Sequence, residues 1–346
     1  MGVRAQVDSL FVKQAIEHAA DNGLHIEELW EKFGVNPNAT IPQWVPSKRV
    51  ASAYHWLDRQ FDDELWSCRI GARIASLDMP WQRLVKTSKN IRLAFETIIP
   101  YFYLATTSVS YSIENCTLDK EVAIIIEPLA DKGITPFQIC AAATPVAILT
   151  RDVLGITSDR EDFRMLIPTD FVSSVDILSD YLGIRVVESE RFEVRMSEAL
   201  WEQISPNYDV DTYKAGCAEL VRLDKRFREY EALYQELRNI IVQCLNERDI
   251  SQENSARLLE INVRNLQRRL RALGTTYRQL LDEIRYERAI ELIHKPNIPL
   301  YEIAYRLCFS EPSAFYKAFR RWTGAKPGDY RRAHNKKINE VLVEDE

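Results

Sequence analysis

The sequence predicts a two-domain protein, in which an N-terminal α+β domain precedes an all-α domain with two helix-turn-helix units joined by a long helix. Three observations support this prediction. A chain of 346 residues exceeds what one ordinary hydrophobic core contains. Acidic and basic residues are unevenly divided along it. A helix, a turn and a second helix recur near the C-terminus at an offset of about 48 residues.

The charge distribution separates an acidic N-terminal half from a basic C-terminal module. Residues 1–230 hold 25 Lys and Arg against 34 Asp and Glu (net −9), whereas residues 231–332 hold 18 against 13 (net +5). A basic module attached to an acidic half is typical of nucleic-acid-binding proteins. We therefore predict a DNA-binding domain at 231–332, followed by a tail at 333–346.

The composition is that of a soluble globular protein. Hydrophobic residues make up 46% of the chain and charged residues 28%. We find no apolar run of the 18 or more residues that a membrane helix needs, and no signal-peptide pattern near the N-terminus. The sequence therefore predicts a cytoplasmic protein with no membrane partner.

Motifs for catalysis or metal binding do not stand out. The six cysteines include no C-x-x-C pair, and the five histidines include no H-x-x-x-H spacing. Nucleophile-elbow, Walker and dinucleotide-binding motifs are also missing from the sequence. We expect no enzyme, no catalytic residues, no metal and no cofactor.

The N-terminal half reads as helices followed by strands and one long helix. Apolar periodicity with glycine stops predicts helices over 9–23, 25–34 and 47–61. Alternation of β-branched residues predicts a strand pair at 108–115 and 121–128, and further strands within 184–196. A helix is predicted between them at 136–155. The half is rich in aromatic residues, which form either core or a pocket: Trp44, Tyr54, Trp56, Trp66, Trp81, Tyr101, Phe102, Tyr103.

The segment 211–248 lacks proline and mixes charge with apolar periodicity. Its first part is a candidate linker or dimerisation helix, and 233–245 is the predicted first helix of the basic module.

Each repeat then shows an apolar face and a polar face on its second helix. The first repeat places Asn262 at the N-cap, and the second places Ser310 there. Apolar side chains recur at i, i+3, i+4 and i+7 on the inward face: Val263, Leu266, Leu270, Leu273 in one helix and Phe315, Ala318, Phe319, Trp322 in the other. The outward stripes are Arg264, Gln267, Arg268, Arg271 and Ser313, Tyr316, Lys317, Arg320. Arginine and glutamine in such a stripe can make bidentate contacts with guanine and adenine.

A helix between the repeats is expected to set their spacing. Thr276 and Gln279 have capping-box spacing, and apolar periodicity continues to the "KPNIP" segment. We predict about 19 residues, hence a length of about 28 Å.

These residues resemble the AraC/XylS family of bacterial transcription regulators. The family's closing signature is matched at Phe309, Ser310, Phe315, Phe319, Trp322, Gly324, Pro327, Tyr330 and Arg331. The resemblance implies base contacts from Arg264, Gln267, Arg268, Ser313, Tyr316 and Lys317, and phosphate contacts from Arg271, Arg320, Arg321 and Lys326. The sequence departs from the family at its turn glycines, where Glu260 and Cys308 stand. A residue with a side chain there either adopts a costly positive φ or shifts the turn.

The N-terminal half, to about Asp211, resembles the arabinose-binding-type effector domain found in one branch of that family. This resemblance implies a regulatory domain at 1–211, followed by a linker helix at 212–230. The resemblance implies a homodimeric regulator of promoter DNA that responds to a small molecule, whose contact residues we leave unassigned. It also favours activation, with RNA polymerase as a partner. One alternative is a dimeric DNA-binding protein whose N-terminal half only oligomerises. Another is a DNA-targeted methyl-transfer enzyme with zinc-binding cysteines, for which Cys68, Cys116 and Cys140 are too dispersed in sequence.

Overall fold

A computed structural model describes residues 6–33, 44–116, 119–129, 134–157, 160–168, 171, 175–273 and 275–332. The chain divides into two compact units, Met1–Phe227 and Arg228–Glu346. We call them the N-terminal unit and the C-terminal unit. The predicted tail at 333–346 and the predicted helix stop at Gly34 lie outside the described residues.

Apart from the short strands β1 and β2, which were not predicted, the N-terminal unit begins with helices and continues with strands, as predicted. Its helices are α1 Ser9–Asp21, α2 Ile26–Phe33, α3 Ser47–Asp58, α4 Trp66–Ala75, α5 Pro80–Thr87, α6 Ile91–Ile98, α7 Pro136–Leu154, α8 Val175–Leu182 and α9 Glu198–Glu202, with a 3₁₀ turn at Ile99–Leu104. Its strands are β1 Gln6–Asp8, β2 Trp44–Pro46, β3 Val109–Cys116, β4 Glu121–Pro128, β5 Phe163–Pro168, β6 Arg185–Ser189 and β7 Phe192–Ser197.

A five-stranded mixed sheet in the order β3-β4-β7-β5-β6 organises this unit. The predicted pair β3 and β4 is confirmed and is antiparallel, with Ile113 opposite Ile124. Strand β5, which sequence patterning missed, pairs antiparallel with β7 and parallel with β6. Helix α8 connects β5 to its parallel partner β6, because parallel neighbours need a crossover connection. Strands β1 and β2 form a separate antiparallel pair.

The two faces of the sheet differ in polarity. Alternate residues of β4 and β7, such as Ile124, Val194 and Met196, are buried in the core, because successive side chains of a strand point to opposite faces. On β7 the intervening Glu193 accepts hydrogen bonds from Arg191 and Arg195 at 2.6 and 2.7 Å. The sheet therefore packs its apolar face inward and carries an ion-paired network on the other.

Helix α7 lies in this core and confirms the predicted helix at 136–155. Thr135 and Gln138 form a capping box at its start, and Gly155 ends it at φ 66°. Within the described residues α7 is a helix long and apolar enough to cross a membrane, yet 72% of its most apolar window is buried in the protein. Helix α4 packs closely on it, because Gly71 leaves room for Thr144, whose Cβ would lie 2.6 Å from a Cβ at position 71. We interpret α7 as a core helix.

Asp8 gives the N-terminal unit a pH-dependent stability. Its carboxylate accepts a hydrogen bond from the Leu10 N–H at 2.8 Å and caps α1. Burial raises the pKa of Asp8 to about 6, against the lowering effect of the Leu10 N–H. The folded carboxyl therefore binds more protons than the unfolded one between about pH 4 and pH 6. This contribution to stability is complete below that window and is lost as the pH rises through it.

We expect Asp8→Asn, which keeps the cap oxygen, to remove this contribution. As the pH rises from about 4 to about 6, the free energy of unfolding of the wild type should fall by about 1 to 2 kcal/mol relative to that of the variant. This value allows for the partial exposure of the carboxyl. Urea unfolding of both proteins at several pH values measures the difference. A difference that is independent of pH would contradict the prediction.

One helix, α10 Val210–Asn246, covers the predicted linker and the predicted first helix of the basic module without a break. Its first part belongs to the N-terminal unit, where Leu220 enters the core. Its last part belongs to the C-terminal unit, where Leu237, Ile241 and Leu245 are buried.

The C-terminal unit is entirely helical in its described residues. After α10 come α11 Gln252–Leu258, α12 Val263–Ala272, α13 Tyr277–Ile293, α14 Leu300–Arg306 and α15 Pro312–Thr323. The Thr276–Gln279 capping box that starts α13 is confirmed. The helix has 17 residues rather than the expected 19, because His294 caps it before the "KPNIP" segment. Its length is thus about 25 Å.

Candidate nucleic-acid interface

The two helix pairs of the C-terminal unit share one turn geometry. Glu260 ends the turn after α11 with φ 55°, and Cys308, 48 residues later, does the same after α14 with φ 55°. In each turn this residue donates its N–H to the carbonyl three residues earlier, Arg257 or Tyr305, at 3.0 and 3.1 Å. The residues departing from the family's turn glycine therefore keep the left-handed conformation.

The next hydrogen bond is repeated as well. Ile261 donates its N–H to Ala256, and Phe309 donates to Ala304, each at 3.0 Å. This pair of bonds is the Schellman motif, which satisfies carbonyl groups that a helix end leaves free. Both first helices thus end in the same way.

We expect Glu260→Gly to stabilise the C-terminal unit, because a left-handed conformation strains any residue with a Cβ. The gain should be about 0.5 to 1 kcal/mol, after the greater freedom of glycine in the unfolded chain is subtracted. Glu260 has an exposed side chain, so few contacts are lost. Thermal unfolding measures the gain.

Glu260→Ala is the matched control for that variant. It removes the same side chain but keeps the Cβ and hence the strain, so it should give no gain. Equal stabilisation by both variants would show that the rest of the Glu260 side chain, and not its Cβ in a left-handed backbone, destabilises the turn.

The second helices of the two pairs start at different offsets. Helix α12 begins three residues after Glu260, and α15 begins four residues after Cys308. The Asn262 side chain caps α12 by accepting the Asn265 N–H at 2.8 Å, as predicted. The predicted N-cap Ser310 is wrong. Glu311 holds that place without a side-chain cap bond, because the extra residue and Pro312 at the first helical position move the start by one.

The inward faces of α12 and α15 pack as predicted. Leu266, Leu270, Phe315 and Phe319 are each at most 1% exposed. Ala318 and Leu273 are also buried. Trp322 departs from the prediction, since it is only half-buried, with its ring 6.3 Å from that of Phe309. Val263 is likewise half-buried.

The outward stripes lie on the surface. On α12, Arg264, Arg268 and Arg271 are exposed, and Gln267 is half-buried, with its amide donating to Gln252 at 3.1 Å. On α15 the exposed residues are Ser313, Tyr316, Lys317, Arg320 and Arg321, and Lys326 is exposed beyond its end.

Two of these side chains have partners within the unit. Gln267 shares a hydrogen bond with Gln252 of α11, so it must exchange that bond to contact a base. Arg321 pairs with Asp282 of α13 at 2.7 Å, which offsets part of its charge. Among the described residues, no ion-pair partner is present for the other exposed cations of the two stripes, which are Arg264, Arg268 and Arg271 on α12 and Lys317 and Arg320 on α15.

An arginine that the sequence did not single out holds the second turn. Arg285 of α13 is 9% exposed, and it donates from Nε to the Leu307 carbonyl at 2.8 Å and from Nη2 to the Cys308 carbonyl at 2.7 Å. Its guanidinium carbon lies 4.2 Å from the centre of the Phe309 ring. Burial lowers the pKa of Arg285. One side chain thus ties the middle helix to the turn that aims α15.

The last residues of the closing signature also act inside the unit. Gly324 ends α15 with φ 75°, and Arg331 donates from Nε to the Ile293 carbonyl at 2.8 Å, at the C-terminus of α13. The centres of the Tyr330 and Phe319 rings are 5.4 Å apart, and the Tyr330 ring also stacks on that of His294. These residues brace α13 against α15.

Cysteines that look dispersed in the sequence are partly brought together. The Thr144 hydroxyl lies 3.5 Å from the sulfur of Cys68 and 3.9 Å from that of Cys140, both in the core of the N-terminal unit. Among the residues that the structure describes, no group of three or more His, Cys, Asp or Glu could hold a metal ion.

Comparison with known proteins finds a matching family and relatives for the C-terminal region. A family described as "Helix-turn-helix domain" matches residues 255–333. The "Ornithine utilization regulator" of Pseudomonas aeruginosa is 48% identical over 81 residues, 23% of this chain and 24% of that protein. An uncharacterized HTH-type transcriptional regulator of Mycobacterium bovis is 26% identical over 201 residues, 53% of this chain and 57% of that one. The chain therefore spans about a quarter to somewhat over half of the length of these relatives.

Among solved structures, the transcriptional regulator CdpR from Pseudomonas aeruginosa is similar, with a TM-score of 0.43 and 20% identity. The match covers 92% of this chain and 97% of that one.

Proposed function

We propose that this chain, whose C-terminal region is a helix-turn-helix domain of the AraC/XylS type, is a sequence-specific DNA-binding regulator of transcription in the cytoplasm. The observation that carries the proposal is the duplicated turn. The same backbone motif occurs twice, 48 residues apart, and each copy is followed by a helix with one buried apolar face and one exposed polar face. A helix presented in this way fits the major groove.

In this proposal α12 and α15 are the two reading helices, and α13 sets the distance between them. Its length of about 25 Å is compatible with insertion into successive major grooves on one side of the duplex, which are separated by roughly 34 Å. The base contacts come from Arg264, Gln267, Arg268, Ser313, Tyr316 and Lys317. The phosphate contacts come from Arg271, Arg320, Arg321 and Lys326, which position the protein without reading sequence.

The N-terminal unit supplies control and dimerisation in this proposal. A small-molecule effector would bind one arrangement of a homodimer more tightly than another and so change how the reading helices are presented. The protein would activate transcription through RNA polymerase. In the competing proposal, the N-terminal unit only dimerises and senses nothing.

Selection of the full chain on a random-sequence DNA library tests DNA reading. We expect an enriched motif with two conserved blocks whose centres lie about 10 base pairs apart, one for each reading helix. Affinity for the motif and for scrambled DNA should both fall with rising salt, since both include phosphate contacts. Recovery of no common motif would contradict sequence-specific reading, and a single block would contradict the use of both helices.

A further inference from the structure

The N-terminal unit contains an apolar cavity with a volume of about 90 Å³. It lies among the helices α1 and α3 to α7, the 3₁₀ turn, and the strands β1 and β3. Trp81, Val85 and Phe102 are part of its wall, together with Ala142 from α7. Trp81, Phe102 and Tyr54, which also lines the cavity, belong to the aromatic residues for which the sequence predicted either a core or a pocket position. The side chain of Trp44, from the same set, lies outside those described.

Most polar side chains of the wall already have partners. Thr106 accepts the Ser108 N–H at 3.0 Å, the hydroxyls of Ser108 and Ser47 are hydrogen-bonded to each other, and the Tyr111 hydroxyl lies 3.5 Å from the Ala142 carbonyl. Gln82 accepts the Met79 N–H at 2.8 Å and donates to the Ile74 carbonyl at 2.6 Å. Gln138 accepts the Thr135 N–H at 3.0 Å as part of the capping box of α7. No Lys, Arg, His, Asp or Glu is among the described residues that line the cavity.

This lining selects against charged and sugar-like molecules. An ion would lose its hydration and gain no opposite charge. The several hydroxyls of a sugar would need more hydrogen-bond partners than this wall supplies, because most of its polar side chains are already bonded. We propose that the cavity is the effector site and that it takes an uncharged, largely apolar small molecule. The assignment of an effector role rests on the proposed function, whereas the binding chemistry rests on the cavity alone.

The cavity wall is also the surface on which α10 packs. Val85 faces the cavity, while its neighbour Leu84 lies against α10, with its Cβ 3.5 Å from where a Cβ on Gly216 would be. Phe102 faces the cavity, while its neighbour Tyr103 donates a hydrogen bond to Asp224 of α10.

A third contact joins α6 to the same helix. The hydroxyls of Thr97 and Tyr213 lie 2.8 Å apart, and Ile98, next to Thr97, lines the cavity. A ligand and α10 are thus separated by one layer of side chains. Because α10 continues to Asn246, a ligand that repacks this wall changes how the first part of that helix is held.

The binding test uses the full chain and straight-chain 1-alkanols from propanol to octanol. Each is compared with the carboxylate and the ammonium ion of the same chain length. Binding is followed by thermal stabilisation and by tryptophan fluorescence. We expect the alkanol affinity to rise about threefold to fourfold with each added methylene and then to level off when the cavity is full. The charged analogues should bind at least tenfold more weakly.

Cavity variants assign the binding to this site. Val85→Ala enlarges the cavity and should move the plateau to longer alkanols, whereas Ala142→Leu fills it and should remove the dependence on chain length. Trp81→Phe should remove the fluorescence change and keep the thermal stabilisation. A plateau that neither size variant moves, or charged analogues that bind as well as the alcohols, would overturn the proposed site.

The effector role is tested by DNA affinity with and without the alkanol that binds best. We expect a change of at least threefold, lost in Gly216→Leu, which wedges α10 away from Leu84, and kept in Gly216→Ala, whose Cβ makes an ordinary contact. Alkanol binding that leaves the affinity of the wild type unchanged would overturn the effector role. Failure to find any sequence-specific DNA binding would overturn the proposed function and leave the alkanol titration as a separate result.

Discussion

Arg268→Ala and Lys317→Ala are each expected to weaken binding to the selected DNA motif by about 1 to 3 kcal/mol while affinity for scrambled DNA changes less. Both side chains are exposed on the outward stripes of α12 and α15. Arginine can bind guanine through two parallel hydrogen bonds, and a lysine at the equivalent stripe can do so through its ammonium group. Loss of either contact also relaxes the choice of base at one position of the motif.

Titrations of labelled duplexes measure these effects, on the motif and on each single-base variant of it. Arg268→Ala should relax selectivity in one block of the motif, and Lys317→Ala should relax it in the other. Equal loss on every sequence would reassign the residue to a phosphate contact. Arg92→Ala is the control, since it removes the same charge from α6 in the N-terminal unit, outside the helix-turn-helix domain. It should leave both affinities unchanged.

Arg285→Leu is expected to lower the free energy of unfolding of the C-terminal unit by about 3 kcal/mol. The variant keeps most of the apolar stem but removes both hydrogen bonds to the turn. It leaves the Leu307 and Cys308 carbonyls without these donors, and a buried acceptor without a donor costs about 1 to 3 kcal/mol. Arg285→Lys should lose less, because it keeps the charge but cannot bridge two carbonyls in the geometry of a guanidinium group.

Hydrogen exchange of the full chain locates the effect of these variants. We expect faster exchange over α14 and α15 in Arg285→Leu and wild-type exchange in the N-terminal unit. Arg288→Leu, three residues along α13, is the matched control, since the Arg288 side chain is 41% exposed and its ion pair with Glu291 is long, at 3.9 Å. Unchanged exchange in Arg285→Leu would show that the turn holds its conformation without the arginine.

The same variant connects turn geometry to DNA reading. If Arg285 aims α15, its loss should reduce base selectivity in the block that Lys317 reads more than in the block that Arg268 reads. Loss of selectivity in both blocks to the same degree would instead indicate that the whole C-terminal unit is loosened.

Local pattern alone located the elements that carry the proposed function. The 3.6-residue period of α12 and α15 separates buried leucines and phenylalanines from exposed basic residues, because a helix has one face to bury. The capping box at Thr276 and the strand pair β3 and β4 were also readable, since each depends on residues close together in the chain. The missed strand β5 has a short, almost wholly buried pattern, which periodicity does not distinguish from a helix segment.

Tertiary structure decided what depends on residues far apart in the sequence. Arg285 and the carbonyls it binds are 22 and 23 residues apart, and no local pattern relates them. Cys68 and Cys140 meet at Thr144 because α4 and α7 pack through Gly71. The cavity exists because elements from β1 to α7 leave a space that their side chains do not fill. The buried face of an element can be predicted from that element's own residues. The contacts and cavities between elements form only when the elements pack together.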